Sequence, residues 1–151
     1  MRLERRDYAF VGFQIILFIL YFLDLHFLKL IAPSWIRVSS GIITIVGLLI
    51  ILISILKLNT NLSVFPSPRS QSRLVTNGLF KLIRHPIYTG IIITSIGYAI
   101  YAVSVYKLLI ALILYTLFYF KSIYEERKLS QQFSEYEAYK KTTGRFFPKF
   151  K

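Results

Sequence analysis

The chain has 151 residues, of which 55% are apolar and 17% aromatic, with 19 Lys and Arg against 7 Asp and Glu. A soluble domain of this size has too little interior to hide so much apolar surface, so the composition excludes an ordinary soluble domain and points to a bilayer as solvent. The net charge of +12 lies beside apolar runs and reads as contact with anionic headgroups, not with nucleic acid. The lack of Cys excludes a disulfide framework and thiol chemistry.

The opening "MRLERRDY" is charged, but the apolar run behind it is long and has no small-residue cleavage site, unlike a cleaved signal peptide. Four segments are long enough to span a hydrocarbon layer of about 30 Å. They run from about Tyr8 to Phe27, Trp35 to Leu56, Pro86 to Tyr101 and Val105 to Tyr124. The short gap between the third and fourth predicts a tight helical hairpin. Gly90 and Gly97, a heptad apart, predict close helix packing on one face of the third span. Asp24 and His26 fall near the outer end of the first span, where interfacial residence is expected.

The connection from Lys57 to His85 starts as an irregular, Asn-, Ser- and Pro-rich stretch. Its second part, "NGLFKLIR", predicts a short interfacial helix. His85 precedes a proline and is biased out of the helical region, while Pro86 suits the first turn of a helix. Beyond the fourth span, Leu129, Phe133, Tyr136 and Tyr139 form one stripe at steps of four, three and three. This predicts a separate amphipathic helix, stopped by Gly144 and Pro148 after the cationic turn at Lys140 and Lys141.

Sixteen of the 19 cations fall at the N-terminus, in the 57–85 loop or from Lys121 onward; only Lys29, Arg37 and Lys107 lie at the opposite ends of the spans. The positive-inside rule then predicts a multi-pass protein with both termini in the cytoplasm. The fold expected is an all-α integral membrane protein: four transmembrane helices, a long cytoplasmic loop and a C-terminal amphipathic cytoplasmic helix in one domain.

No carboxylate occurs between Asp24 and Glu125. Glu125 and Glu126 therefore stand alone near the membrane core, at the cytoplasmic exit of the fourth span. Arg84, His85 and Tyr88 mark the same end of the third. If the two spans are antiparallel, the clusters meet at one depth, as a small zwitterionic ligand would require. Read singly, Arg84 and His85 also suit an ordinary headgroup anchor, and Glu125 and Glu126 the start of a solvated helix.

The element "LVTNGLFKLIRHPIYTG", followed after a hairpin by "EERKL" and "YKKTTGRFFP", resembles the isoprenylcysteine carboxyl methyltransferase family and its phospholipid methyltransferase relatives over about positions 72–148. The resemblance implies a membrane-embedded methyltransferase that uses S-adenosylmethionine, with residues 1–75 forming two spans and the loop and 76–151 the cofactor-binding core. It implies cofactor contacts at Ser72, Arg73, Leu74, Val75, Gly78, Phe80, His85, Pro86, Tyr88, Glu125 and Glu126. Catalytic or substrate roles fall on His85, Arg84 and Lys121. In this assignment Glu125 meets the cofactor's ammonium, His85 with Arg84 its carboxylate, and Lys121 stands where eukaryotic members carry a substrate-linked Arg. A Lys point charge does not reproduce a bidentate fork.

No metal and no obligate protein partner are expected; the partners are the bilayer and an amphiphilic or prenylated substrate. The few acid–base groups favour an oxygen nucleophile such as a prenylcysteine-type carboxylate. A phospholipid or other amine acceptor is the alternative, and His85 is then the base at hand. An NADPH-dependent membrane sterol-type reductase shares part of the motif, and a small four-helix transporter is the non-enzymatic reading.

Overall fold

A computed structural model describes residues 3–23, 32–68 and 72–149. The expectations for Asp24, His26 and Lys29 lie outside these residues. Five α-helices occur among them: α1 (Arg5–Phe22), α2 (Ser34–Leu58), α3 (Pro86–Tyr101), α4 (Val105–Gln132) and α5 (Tyr136–Thr142). Short 3₁₀ turns at Asn59–Asn61 and Gly78–Lys81 sit in the loop between α2 and α3. α2 and α4 are long and apolar enough to cross a membrane; α3 is a shorter apolar helix.

Local chemistry explains the boundaries. α1 opens with a capping box in which the Asp7 side chain accepts from Glu4 N at 2.7 Å. α2 ends where Asn59 turns to a φ of 44°, a conformation Asn tolerates better than most residues. His85 precedes α3 with φ −122° and ψ 60°, outside the helical region, and Pro86 occupies the first turn. Ser104 caps α4, accepting from Lys107 N at 3.3 Å, and the 102–104 turn forms the expected hairpin.

The helices pack in the order α1, α4, α3, α2. The α2–α3 seam is closest because small residues face each other across it. A Cβ on Gly90 would stand 2.6 Å from Ile51 Cγ1, and one on Gly97 2.8 Å from Thr44 Oγ1. The core lies between α1, α3 and α4, around Leu17, Ile92, Leu114 and Phe118. Much of α2 instead presents exposed Ile, Leu and Val, as a lipid-facing helix does.

Three local expectations are corrected. α4 does not stop at Tyr124: Glu125 through Gln132 are good helix formers with no breaker among them, so the helix continues for two more turns. The expected single amphipathic helix is consequently broken at Phe133, and α5 is a seven-residue piece beyond the break. Gly144 does follow the cationic end of α5, as expected. It forms an isolated parallel bridge with Ile83, and a Cβ there would run into the Phe147 carbonyl. The "NGLFKLIR" helix is only the 3₁₀ turn, entered through Gly78 at a φ of 63°.

Candidate functional site

The start of α3 and the far part of α4 meet, as two antiparallel helices joined by a tight turn must. Glu125 and Glu126 point about 100° apart on the helix, and the two carboxylates consequently do different things. Glu125 faces a cavity of about 310 Å³ bounded by α1 to α4, residues 61–68 and 72–75 of the connecting loop, and α5. Its side chain retains 26% exposure, accepts from Tyr88 OH at 2.8 Å, and lies 3.8 Å from His85 Nδ1.

Glu126 lies behind that wall, with 3% of its side chain exposed. It receives Arg84 Nε at 3.0 Å, Arg145 Nη2 at 2.9 Å and Arg145 Nε at 3.1 Å, and His85 Nε2 stands 3.2 Å away. Two guanidinium groups and an imidazole around one buried carboxylate compensate the desolvation that would otherwise expel it. Arg84 also donates to the carbonyls of Lys140, at 3.2 Å, and Thr143. The C-terminal chain is thereby tied to α3 through side chains as well as through Arg84 N to Gly144 O at 2.8 Å and His85 N to Arg145 O at 3.1 Å.

The His85 ring is stacked parallel to Tyr88 with centroids 5.3 Å apart, and Tyr88 stacks on Phe118 at 4.7 Å. This aromatic ladder fixes the inner wall. Lys121, one turn before Glu125, is 1% exposed, so it neither reaches headgroups nor stands free. Its Nζ donates to Gln14 Oε1 at 2.6 Å and to Val64 O at 3.1 Å, and lies 5.4 Å from the centre of the Tyr88 ring.

Of the anticipated site residues, Ser72, Arg73, Leu74, Val75, Phe80, Arg84, His85, Pro86, Tyr88, Lys121 and Glu125 line the cavity. Gly78 and Glu126 do not. Gly78 is a positive-φ turn residue beside the Lys57 stem, and Glu126 is the buried anchor just described. Arg84 reaches the cavity, while its guanidinium donates to Glu126 and to the Lys140 and Thr143 carbonyls. Arg73 is exposed at the cavity and has no acidic partner among the described residues.

Tyr136 and Tyr139 complete the cavity and were read from the sequence only as a helix stripe. Burial pushes the Tyr139 hydroxyl up to about 12, so at neutral pH it stays protonated and donates to Phe80 O. Tyr136 lines the cavity, and its buried hydroxyl has no hydrogen-bond partner among the described residues. A buried polar atom of this kind calls for a ligand or water to satisfy it. Gln14 was also missed: a lone polar residue in an apolar run carries no signal until α1 is packed against α4.

The fold is similar to the solved structure of a eukaryotic intramembrane Ras methyltransferase, isoprenylcysteine carboxyl methyltransferase. The TM-score is 0.72 at 24% identity, over 98% of this chain. The chain spans about half of that protein, 54% of its length. A search among curated protein sequences found no match. The sequence pattern of the phospholipid methyltransferase family matches residues 35–136, from the start of α2 through the cavity-lining turn of α4 to Tyr136, and the chain belongs to that family.

Proposed function

We propose that the protein is a multi-pass membrane methyltransferase that takes its methyl group from S-adenosylmethionine and delivers it to an amphiphile. The observation that carries this reading is the cavity itself. It brings Glu125, Tyr88 and Tyr136, whose buried hydroxyl is unsatisfied, together with an apolar flank formed by Ile55, Ile87 and Ile91. Its size lies at the lower end of ligand pockets. Family membership supports the same chemistry.

These residues fit the cofactor's functional groups. Glu125 suits an ammonium, Tyr136 a polar edge, and Phe80 and Tyr88 the faces of a planar base. Arg73 suits a carboxylate. When bound, S-adenosylmethionine supplies a methyl group on a good leaving group, so the protein's contribution is alignment and exclusion of water. Glu126 and the Arg84–Arg145 pair hold His85 and the α3 start in place. Lys121 ties α1 and the 59–75 loop to α4 over the cavity.

A carboxylate acceptor needs no base, and a prenylcysteine-type acid or related lipid is the acceptor class favoured. The match to a phospholipid methyltransferase pattern favours the second reading, a lipid amine. In that case His85, hydrogen-bonded to Glu126, is the group able to take a proton. Four spans formed by α1 to α4, with both termini in the cytoplasm, agree with the placement of sixteen cations at one end.

The test is direct. Purified protein in detergent binds S-adenosylhomocysteine by calorimetry, and labelled S-adenosylmethionine transfers its methyl group to a component of a membrane lipid extract or to a farnesylated cysteine analogue. Absence of binding, or binding of NADPH instead, overturns the reading.

A further inference from the structure

A second concavity lies on the outer face of the α1–α4 pair, with a volume of about 510 Å³ and no lining residue in common with the main cavity. On α1 its wall includes Ala9 and, at helical steps of four and three, Arg6, Phe10 and Phe13. On α4 it includes Ile123 and, at steps of three, four and three, Leu117, Phe120, Tyr124 and Arg127. The helices run antiparallel, so Arg6 and Arg127 fall at the same end of the groove and the phenyl rings at the other. Phe10 and Tyr124 close its floor, with ring centroids 5.6 Å apart.

Arg6 and Arg127 are exposed, and neither guanidinium has a hydrogen-bond or ion-pair partner among the described residues. The nearby acid, Glu4, is taken by Tyr124 OH at 2.9 Å and by Lys128. From Leu117 to Arg127 the wall rises about 15 Å along the helix, half the thickness of a hydrocarbon core of about 30 Å. The groove therefore matches the length of one leaflet, with an aromatic and aliphatic lining and two exposed arginines, neither in a hydrogen bond or close ion pair, at one end.

From this match of length, lining and charge we infer that the α1–α4 groove is a binding site for an anionic phospholipid of the leaflet next to the active cavity. One acyl chain lies along Phe13, Leu117 and Phe120, and the phosphodiester sits between Arg6 and Arg127. The lipid seals the α1–α4 seam on the side away from Lys121 and Gln14. It is a resident lipid and not the methyl acceptor, so the inference is independent of the proposed activity.

Native mass spectrometry of the full chain in detergent tests this, with phosphatidylglycerol and phosphatidylcholine of identical acyl chains as the probes. The wild-type chain retains phosphatidylglycerol in preference, and Arg127→Gln lowers that preference about fivefold, the loss expected for one cation at a membrane surface. Arg6→Gln/Arg127→Gln abolishes it. Lys81→Gln/Lys141→Gln removes the same charge from exposed lysines outside the groove and keeps the preference. Ala9→Trp fills the groove without changing charge and reduces retention of phosphatidylglycerol. A double arginine variant that keeps the preference, a lysine variant that loses it equally, or unchanged retention by Ala9→Trp would each overturn the site.

Discussion

Arg84 and Glu126, 42 residues apart in the chain, meet at 3.0 Å with side chains only 8% and 3% exposed. The neighbouring Glu125 instead faces the cavity. Glu126→Gln leaves Arg84 and Arg145 facing a neutral group and costs about 3 kcal/mol of stability, seen as a lowered melting temperature in detergent. Glu125→Gln keeps the melting temperature but weakens S-adenosylhomocysteine binding by about one to two orders of magnitude, the worth of a charge-assisted hydrogen bond. Reversed effects would mean that the structural and ligand-facing carboxylates have been exchanged.

Tyr136 offers the opposite signature. Its hydroxyl is buried without a partner, so Tyr136→Phe relieves an unmet polar group and leaves the unliganded protein at least as stable. The same variant weakens S-adenosylhomocysteine about fivefold, because a neutral hydrogen bond is lost. Paired thermal melts and calorimetry read both quantities, and a less stable variant with unchanged affinity would contradict the assignment.

The α2–α3 seam depends on the absence of side chains. Gly90→Ala and Gly97→Ala each force the two helices apart and cost about 1–3 kcal/mol. Gly12→Ala, where a Cβ meets nothing within 4 Å, is neutral or slightly stabilising. Equal melting temperatures for all three variants would show that the seam is looser than described.

Asp7 reaches from α1 to the loop that roofs the cavity. It is fully buried and accepts from Ser67 N at 3.1 Å and Ser67 Oγ at 2.9 Å. Asp7→Ala costs about 2 kcal/mol and releases the 64–68 segment, so limited proteolysis between residues 62 and 75 accelerates. Cleavage at the wild-type rate would show that Phe65 packing on Tyr8 and the Lys121 bond to Val64 O hold the loop without Asp7.

Much of the helical framework was legible from residue type and order. The bounds of α2 and α3 follow from apolar length, Pro86 at the first turn and the bias imposed on His85. The scarcity of acids drew attention to Glu125 and Glu126 opposite Arg84 and His85, and in the structure these groups are in contact. The end of α4 was misplaced because leaving an apolar environment does not end a helix. Only a breaker or a competing cap does.

What the sequence determined by itself is periodicity, charge placement and local stops, since these depend on neighbours within a few turns. It could not separate Glu125 from Glu126, because adjacent positions are identical in composition and differ only by a helical rotation whose meaning depends on what packs there. Likewise Gln14, Val64 and Lys121 have no local reason to associate. Packing α1 on α4 and folding the loop over both brings a carboxamide, a carbonyl and an ammonium together at 2.6 and 3.1 Å. Tertiary structure made that decision, because a buried cation must find its acceptors wherever in the chain they lie.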